Sequence, residues 1–390
     1  MVTGCGFIGY ERVERSEPAT PPLGRESGEV DADDLAPLQA RLRVRLPGAF
    51  IEARHTDFAV RVPMIGESWL QASGPGNLEV RVDGALVPHE VTHQDRATGT
   101  AELWLLAPEL FPGEDFEAEI SIATGAAPSA TDLQQQTRTL WQRAGFTEVM
   151  HLDEVASGEA GEYLETVSGS GLGRGDAGNT EALPARIERG PGFAQHLAGD
   201  GMHIRLASGS MTTQTGTLSH WVHRDDVPTA ARILYYEAFG SDGDFDGFRT
   251  GTSAGYELHS GELLFTSGAF FLWQEQPSLA DVAVGASTFP IETWVHLATT
   301  WDAADSAAFF VNGVETERRP MDTGTWGNYP EADFRALGAP RHFVARGDRA
   351  WQGAIDELRL SEVVRSAEWL ALDARLGDDA TSPIVVSLAP

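Results

Sequence analysis

The chain has 390 residues, 42% of them apolar, which is long enough for two packed domains with tails and too rich in apolar residues for general disorder. Fifty-eight acidic residues face 28 basic ones, all arginine, and the net charge of −30 excludes nucleic acid and anionic membrane surfaces as partners. The single cysteine, Cys5, excludes intrachain disulfides and a cysteine-rich metal site, and no apolar run is long enough to span a bilayer.

Residues 2–5 read Val-Thr-Gly-Cys, followed by a polar, Pro- and Glu-rich stretch through Asp34. A small residue, Gly and then Cys resembles the bacterial lipobox, in which the Cys becomes the lipidated first residue of the mature protein. The resemblance implies that Cys5 carries lipid and that residues 1–35 form a largely disordered tether. It also implies a basic and apolar signal upstream of Met1. Membrane contact is then expected only through the lipid anchor, on the cell envelope, as an outer-membrane or surface lipoprotein.

From residue 36 to 126 the pattern is all-β. Ala40 to Leu46 alternates, with Leu42, Val44 and Leu46 on one face and Arg41, Arg43 and Arg45 on the other. Further strands are predicted at Asp57–Pro63, Asn77–Val82, His89–His93, Thr100–Leu106 and Phe116–Ala123, separated by Gly-Pro, Asp-Gly and Pro-Gly turns. This is a small β-sandwich. The arginine stripe reads as a solvated face, as does the alternation Asp115, Glu117, Glu119. His89 and His93 share a strand face by spacing but have no third metal ligand at a telling distance. The run LEVRVDGALVPHEV, then GTAELWLLAPELFPGEDFEAEISIATG, resembles an uncharacterised bacterial domain that often precedes laminin G-like modules.

Gly125 to Arg138 reads as a linker. After it, 139–377 reads as a second sandwich and 378–390 as a C-terminal tail. TLWQRAGFTEVMHLDE predicts a Trp-bearing strand and an apolar strand, and Glu154 to Gly178 a long surface loop. FAQHLAGDGMHIRL (193–206), TGTLSHWVHRDD (215–226), Trp294 to Trp301, and Ala308 to Val311 with Asn312-Gly313 predict further strands and a tight hairpin. Trp294, Trp301, Phe310 and Ile355 are expected in the core. In WQGAIDELRLSEVVRSAEWLAL (351–372), a strand over Ile355–Leu360 leads to a helix capped by Ser366, with Glu368 in its first turn and Gly377 as its stop. Together these ordered segments resemble a concanavalin A-like, laminin G-like jelly roll. The expected fold class is therefore all-β, two β-sandwiches, the second of the concanavalin A-like type.

Asp242, Asp244 and Asp246 alternate before Gly247, which is the first half of an EF-hand-like Ca²⁺ loop, although Ser253 stands where a bidentate Glu belongs. The resemblance nominates a second Ca²⁺ ligand, Asp356, near the edge of the closing strand. The Glu-x-Asp-x-x-Glu strand of sandwich hydrolases is absent, as are the Gly-x-Ser-x-Gly elbow and His-Glu-x-x-His. Asp356 and Glu357, being adjacent on a strand, are expected on opposite faces. The resulting expectation is a surface-tethered, non-catalytic binding or adhesion protein that recognises a glycan or a protein. The competing readings are a glycan-processing enzyme of the concanavalin A-like hydrolase type and a structural envelope protein.

Overall fold

The structure, a computed structural model, describes residues 41–64, 77–95, 97–123, 128–207, 215–225, 232–238, 247–253, 257–259, 262–264, 269–276, 279–284, 292–302, 304–320, 334–339 and 350–389. These belong to one compact unit, Gln39–Pro390, while the other unit, Met1–Leu38, lies outside them. Cys5 and the tether are therefore outside the described residues, as are Asp242, Asp244 and Asp246.

The N-terminal strands are β1 (Arg41–Leu46), β2 (His55–Met64), β3 (Leu78–Val82), β4 (Ala85–Leu86), β5 (His89–Asp95), β6 (Thr100–Leu110) and β7 (Phe116–Ile122), followed by helix α1 (Ala130–Arg143). Next come β8 (Glu148–Met150), β9 (Tyr163–Glu165), β10 (Ser170–Asp176), β11 (Ala185–Arg189), β12 (Gly192–Ala198), β13 (His203–Leu206), β14 (Thr215–Arg224), β15 (Arg232–Ala238) and β16 (Gly247–Ser253). The series continues with β17 (Glu257–His259), β18 (Glu262–Leu264), β19 (Ala269–Gln276), β20 (Leu279–Val284), β21 (Trp294–Asp302), β22 (Ser306–Val311), β23 (Val314–Pro320), β24 (Phe334–Leu337) and β25 (Gln352–Ser361). Helix α2 (Ala367–Gly377) and β26 (Val385–Leu388) close the chain.

In the first sandwich a sheet of order β26-β1-β7-β3-β4 packs on a sheet of order β2-β6-β5. The alternation read from β1 holds: Leu42, Val44 and Leu46 are buried and the arginines exposed. The second sandwich pairs a sheet of order β20-β19-β16-β15-β24-β13-β10-β9 with one of order β11-β12-β25-β14-β21-β22-β23, to which β8 adds along β25. Asn312 and Gly313 turn between β22 and β23 with φ of 49° and 75°, as a two-residue hairpin of this twist requires.

Four stretches differ from the sequence reading. The linker and the Trp-bearing strand are one helix, α1, whose Ser129 and Asp132 form a reciprocal capping box and whose Trp141 is buried. The loop over 154–178 contains β9 and β10. Strand β10 (SGLGRGD) lacks an apolar alternation because neighbours press close there: a Cβ on Gly171 would stand 2.2 Å from the carbonyl oxygen of Gly161, and one on Gly173 2.8 Å from the Cβ of Tyr163. The C-terminal tail holds β26, which returns to the first sandwich and pairs antiparallel with β1, Val44 opposite Val386. Trp294 is half-buried rather than core, whereas Trp301, Phe310 and Ile355 are buried.

A further difference concerns face assignment in β25. Ser219 pairs with Arg359 and Trp221 with Asp356, so Glu357 and Leu358 together oppose His220 alone. Glu357 takes φ of 53° to make this bulge, at a cost of roughly 1–2 kcal/mol for a non-glycine residue. The extra residue resets the two-residue period. Ile355, Leu358 and Leu360 all reach the inner core, while Asp356, Glu357 and Arg359 all turn outward. Strict alternation would have placed Ile355 and Arg359 on one face. Asp356 and Glu357 consequently share a face, contrary to expectation.

The outward face of this sheet is covered by α2 and the first sandwich, so its strands are buried on both sides, as the uniform burial of β14, β21 and β25 shows. Gly377 ends α2 by close approach and not by a left-handed cap: a Cβ there would lie 2.6 Å from Trp221 Nε1. The first sandwich also depends on residues far downstream, since β26 fills its sheet edge and Trp369 of α2 packs on Phe58, ring centroids 4.9 Å apart. Expressed alone, residues 36–126 are therefore expected to lack a fixed tertiary structure by near-ultraviolet circular dichroism and amide chemical-shift dispersion. Gln39–Pro390 should unfold in urea as one transition. A well-dispersed, monomeric 36–126 fragment would contradict the interdependence of the two sandwiches.

Candidate functional site

The densest collection of chemically capable side chains lies between the sandwiches. From the first, Arg61 on β2 and Glu102 on β6 form an ion pair in which Nε donates to Oε2 at 2.9 Å, both residues being almost fully buried. Arg61 Nη1 also donates to the carbonyl oxygen of Gly377, 3.1 Å, and to Asp379, 2.6 Å. From the second sandwich, Arg189 on β11 reaches the same Gly377 carbonyl at 2.8 Å and pairs with Asp356. Its guanidinium lies 4.5 Å from the ring centroid of Trp221 and 4.8 Å from that of Trp294. The C-terminal carbonyl of α2, the negative end of the helix dipole, is thus held by one arginine from each sandwich.

A second bridge runs through His151. Its Nδ1 lies 2.6 Å from Glu357 of β25 and its Nε2 3.2 Å from Glu90 of β5, and Trp141 Nε1 donates to the same Glu90 carboxylate at 2.5 Å. Arg359 pairs with Asp373 of α2 at 2.8 Å and stacks over Trp104 of the first sandwich, 4.9 Å from its ring centroid. His296, fully buried, lies 3.3 Å from the other oxygen of Asp373.

Carboxylates outnumber cations in this seam, and the titration of its members follows. Burial pushes Asp356 up to about 7, with Glu357 and Glu102 adding to the rise and Arg189 only partly opposing it. Burial opposes charge on His151, but Glu357 and Glu90 outweigh it and hold the imidazole well above its ordinary value. Burial also works against the Asp373 carboxylate, yet Arg359 and His296 draw it down to about 2. Burial lowers His296 despite Asp373. Each anion is committed to an internal cation or donor, and all but Glu90 and Asp379 are nearly inaccessible to solvent. The arrangement therefore docks two domains in one orientation.

The residues singled out from the sequence fall elsewhere or serve other ends. Asp356 sits on an interior strand, between β12 and β14, and its carboxylate accepts from Arg189. It is not at a sheet edge, and the guanidinium stands where a cation would bind. Among the described residues no group of three or more His, Cys, Asp or Glu is arranged to hold a metal. The arginine stripe and the carboxylate stripe are one ladder: Arg41 meets Glu119 at 3.1 Å, Arg43 meets Glu117 at 3.9 Å and Arg45 meets Asp115 at 2.5 Å, each a diagonal neighbour across β1 and β7. These pairs are exposed and contribute about 0–1 kcal/mol each. A register slip in β5 between Val91 and His93 separates the two histidines. His89 is buried, with Nδ1 3.2 Å from Val87 O, and His93 stacks edge-on to Phe193 at 4.9 Å. The seam residues carry no sequence signal beyond charges inside apolar strands, such as Arg61 in DFAVRVPM and Glu102 in TAELWLL.

Two raised groups of the seam give up stabilising protons as pH rises, whereas burial lowers His55, His89, His203, His220 and His296, which work in the opposite sense. The proton on Asp356 stabilises the fold fully below the unfolded value, about 3.9, and that contribution is lost as pH rises to about 7. The proton on His151 is likewise lost only at higher pH. Asp373 works in the opposite sense but only when pH falls from about 4 towards 2. The contribution of Asp356 is therefore read against Asp356→Asn: between pH about 5.5 and about 8 the urea midpoint of the parent is expected to fall relative to that of the variant. A parent and variant whose midpoints keep a constant difference over this range would show that Asp356 does not hold this proton.

With this geometry in view, comparison with known proteins adds the following. Residues 198–371 match the family model described as the concanavalin A-like lectin/glucanases superfamily. No curated protein sequence matches the chain. Among solved structures, domain 4 of AbnA, a GH43 extracellular arabinanase from Geobacillus stearothermophilus in complex with arabinotriose, aligns at 20% identity and a TM-score of 0.39, covering 58% of this chain and 98% of that domain. The heptameric SAP-like pentraxin from Limulus polyphemus aligns at 14% identity and 0.34, covering 43% and 73%. The CBM40 of the Ruminococcus gnavus IT-sialidase, bound to α2,3-sialyllactose, aligns at 12% and 0.35, covering 46% and 96%. On the family match and the sheet order, residues 198–371 contain a concanavalin A-like domain.

Proposed function

We propose that the protein is a non-catalytic recognition protein whose concanavalin A-like sandwich binds a glycan, held at the bacterial cell envelope through lipid on Cys5. The observation that carries the glycan reading is the match of residues 198–371 to a superfamily of lectins and glucanases. Two features favour the lectin side. The outward-facing carboxylates of the closing strand, Asp356 and Glu357, are consumed by Arg189 and His151 in a closed seam. Moreover, docking of the first sandwich fixes the orientation of the second, which lowers the ordering cost of binding. The envelope location rests on the Val-Thr-Gly-Cys start and the polar stretch after it.

A printed array of neutral and acidic oligosaccharides tests this directly. Binding to a defined subset is expected, without release of reducing sugar from polysaccharides containing the same linkages. Cleavage that disappears on substituting one Asp or Glu would replace this reading with the glycan-processing enzyme.

The acidic triplet Asp242, Asp244 and Asp246 is proposed to hold Ca²⁺ through carboxylates and backbone carbonyls. Unfolding midpoints with Ca²⁺ and with a chelator check it. Binding to the native state alone stabilises by roughly 2.7 kcal/mol at about a hundredfold excess over Kd, and Asp244→Ala should abolish the shift. Identical midpoints with metal and chelator would leave the triplet as a solvated acidic tip.

A further inference from the structure

The seam covers β12, β25, β14 and β21 only part of the way along. Asp356, Trp221 and His296 stand in one cross-strand row and are 4%, 3% and 0% exposed. Two residues further along each strand, on the same outward face, the next row reads His196, Ala354, His223, Trp294, paired in unbroken register across all four strands. This row emerges from beneath the first sandwich: the side chains of His196 and His223 are 30% and 23% exposed, and Trp294 is half-buried. Three inter-strand spacings make it about 14 Å long.

The row is organised by one carboxylate. Asp225, just past the end of β14, receives His196 Nε2 on one oxygen at 2.7 Å and His223 Nδ1 on the other at 3.3 Å. Its backbone N–H donates to Gln352 O at 3.3 Å, so the carboxylate is anchored over β25. Ala354 contributes no side chain beyond Cβ and forms a notch between the two imidazoles. Trp294 has the Arg189 guanidinium 4.8 Å from its ring centroid and the His223 ring, tilted by 53°, 5.5 Å from it. Asp225 keeps unused acceptor capacity after both contacts, because a carboxylate has about four lone-pair sites. Its side chain is 31% exposed.

An apolar ring face beside a fixed, solvent-facing carboxylate and two imidazoles is a surface for a molecule with one apolar face and a rim of hydroxyl groups. We propose that His196, His223, Asp225 and Trp294 form a sugar-binding site in which one ring lies against Trp294 and its vicinal hydroxyls donate to Asp225. The proposal rests on the glycan reading and adds a location to it. The recognition surface includes the uncovered end of the docked sheet, beside the interdomain seam. The imidazoles orient the carboxylate before binding, so little rotamer entropy remains to be lost. A peptide would need main-chain donors and acceptors along an open strand edge, and these four strands are all paired on both sides.

The test uses the full chain and the oligosaccharide of strongest array signal, titrated calorimetrically into parent protein, Trp294→Ala, Trp294→Phe, Asp225→Asn and, as a control on the far face of the first sandwich, Arg45→Ala. Trp294→Ala and Asp225→Asn are expected to weaken binding at least tenfold, Trp294→Phe to restore most of it and Arg45→Ala to leave it unchanged. If Asp225→Asn and Trp294→Phe keep the parent's urea midpoint and all variants bind within twofold of the parent, the site is elsewhere and the proposal falls, while the glycan reading stands. An array that binds no oligosaccharide removes both. Binding of an unstructured peptide library at this row in place of sugars would overturn the proposal in favour of protein recognition.

Discussion

Two guanidinium groups meeting on one carbonyl oxygen hold this molecule together. Arg61 belongs to the first sandwich, Arg189 to the second, and both donate to Gly377 O at the end of α2. Each is nearly inaccessible to water, so removing either would strand a buried carboxylate partner, at a cost of about 3–5 kcal/mol. Everything nearby accommodates this junction. Residue 377 is glycine because Trp221 leaves no room for a Cβ, and Trp221 in turn stacks on Arg189. Beyond it, Asp379 gives Arg61 another partner before the chain runs back to add β26 to the first sandwich.

Such a seam is better understood as a device for orientation than as a reservoir of stability. A well-packed apolar interface of equal size would serve as well or better energetically, because each buried charge sacrifices its hydration. What the charges do is forbid alternatives: a rotated or shifted docking would part Arg61 from Gly377 and Asp379, and Glu90 from His151, in a largely dry environment. The bulge at Glu357 is part of the same arrangement. It spends local backbone strain to put Ile355, Leu358 and Leu360 of β25 into the core and Asp356, Glu357 and Arg359 into the seam. Burial, reinforced by the neighbouring carboxylates Glu357 and Glu102, leaves Asp356 protonated more readily than a free aspartate, so the junction is tied to pH.

The docking also divides the surface of the concanavalin A-like sandwich. One sheet is largely occupied by the first sandwich and α2, and its exposed remainder begins at the row His196, Ala354, His223, Trp294. Arg189 serves both regions, sealing the seam with Asp356 while standing beside Trp294. A ligand resting on Trp294 would sense the state of the seam through that shared guanidinium. In this reading the first sandwich acts as a rigid buttress for recognition by the second.

Much of the fold was legible in local pattern. Alternation in β1, the Asn312-Gly313 hairpin, the Ser366 cap and the Trp294–Trp301 strand depend on side chains within a few residues of one another, and each appears in the structure. So does the all-β class, because strand period and turn chemistry are local properties. Elements whose identity is set by distant partners were not legible. Strand β10 is glycine-rich because Tyr163 and Ile204 press against it, and β26 is a strand because β1 offers an edge. The buried charges look like surface residues until the partner domain is in place: Arg61 needs Gly377 and Glu90 needs His151, across gaps of hundreds and tens of residues respectively. The face of Glu357 depended on a one-residue slip against His220 that no periodicity encodes. Sequence by itself determined the strand-rich sandwiches and their turns, because those energies are local. Only the tertiary structure decided which charges are buried, which face each carboxylate takes and where the open row begins, because those follow from contacts between residues far apart in the chain.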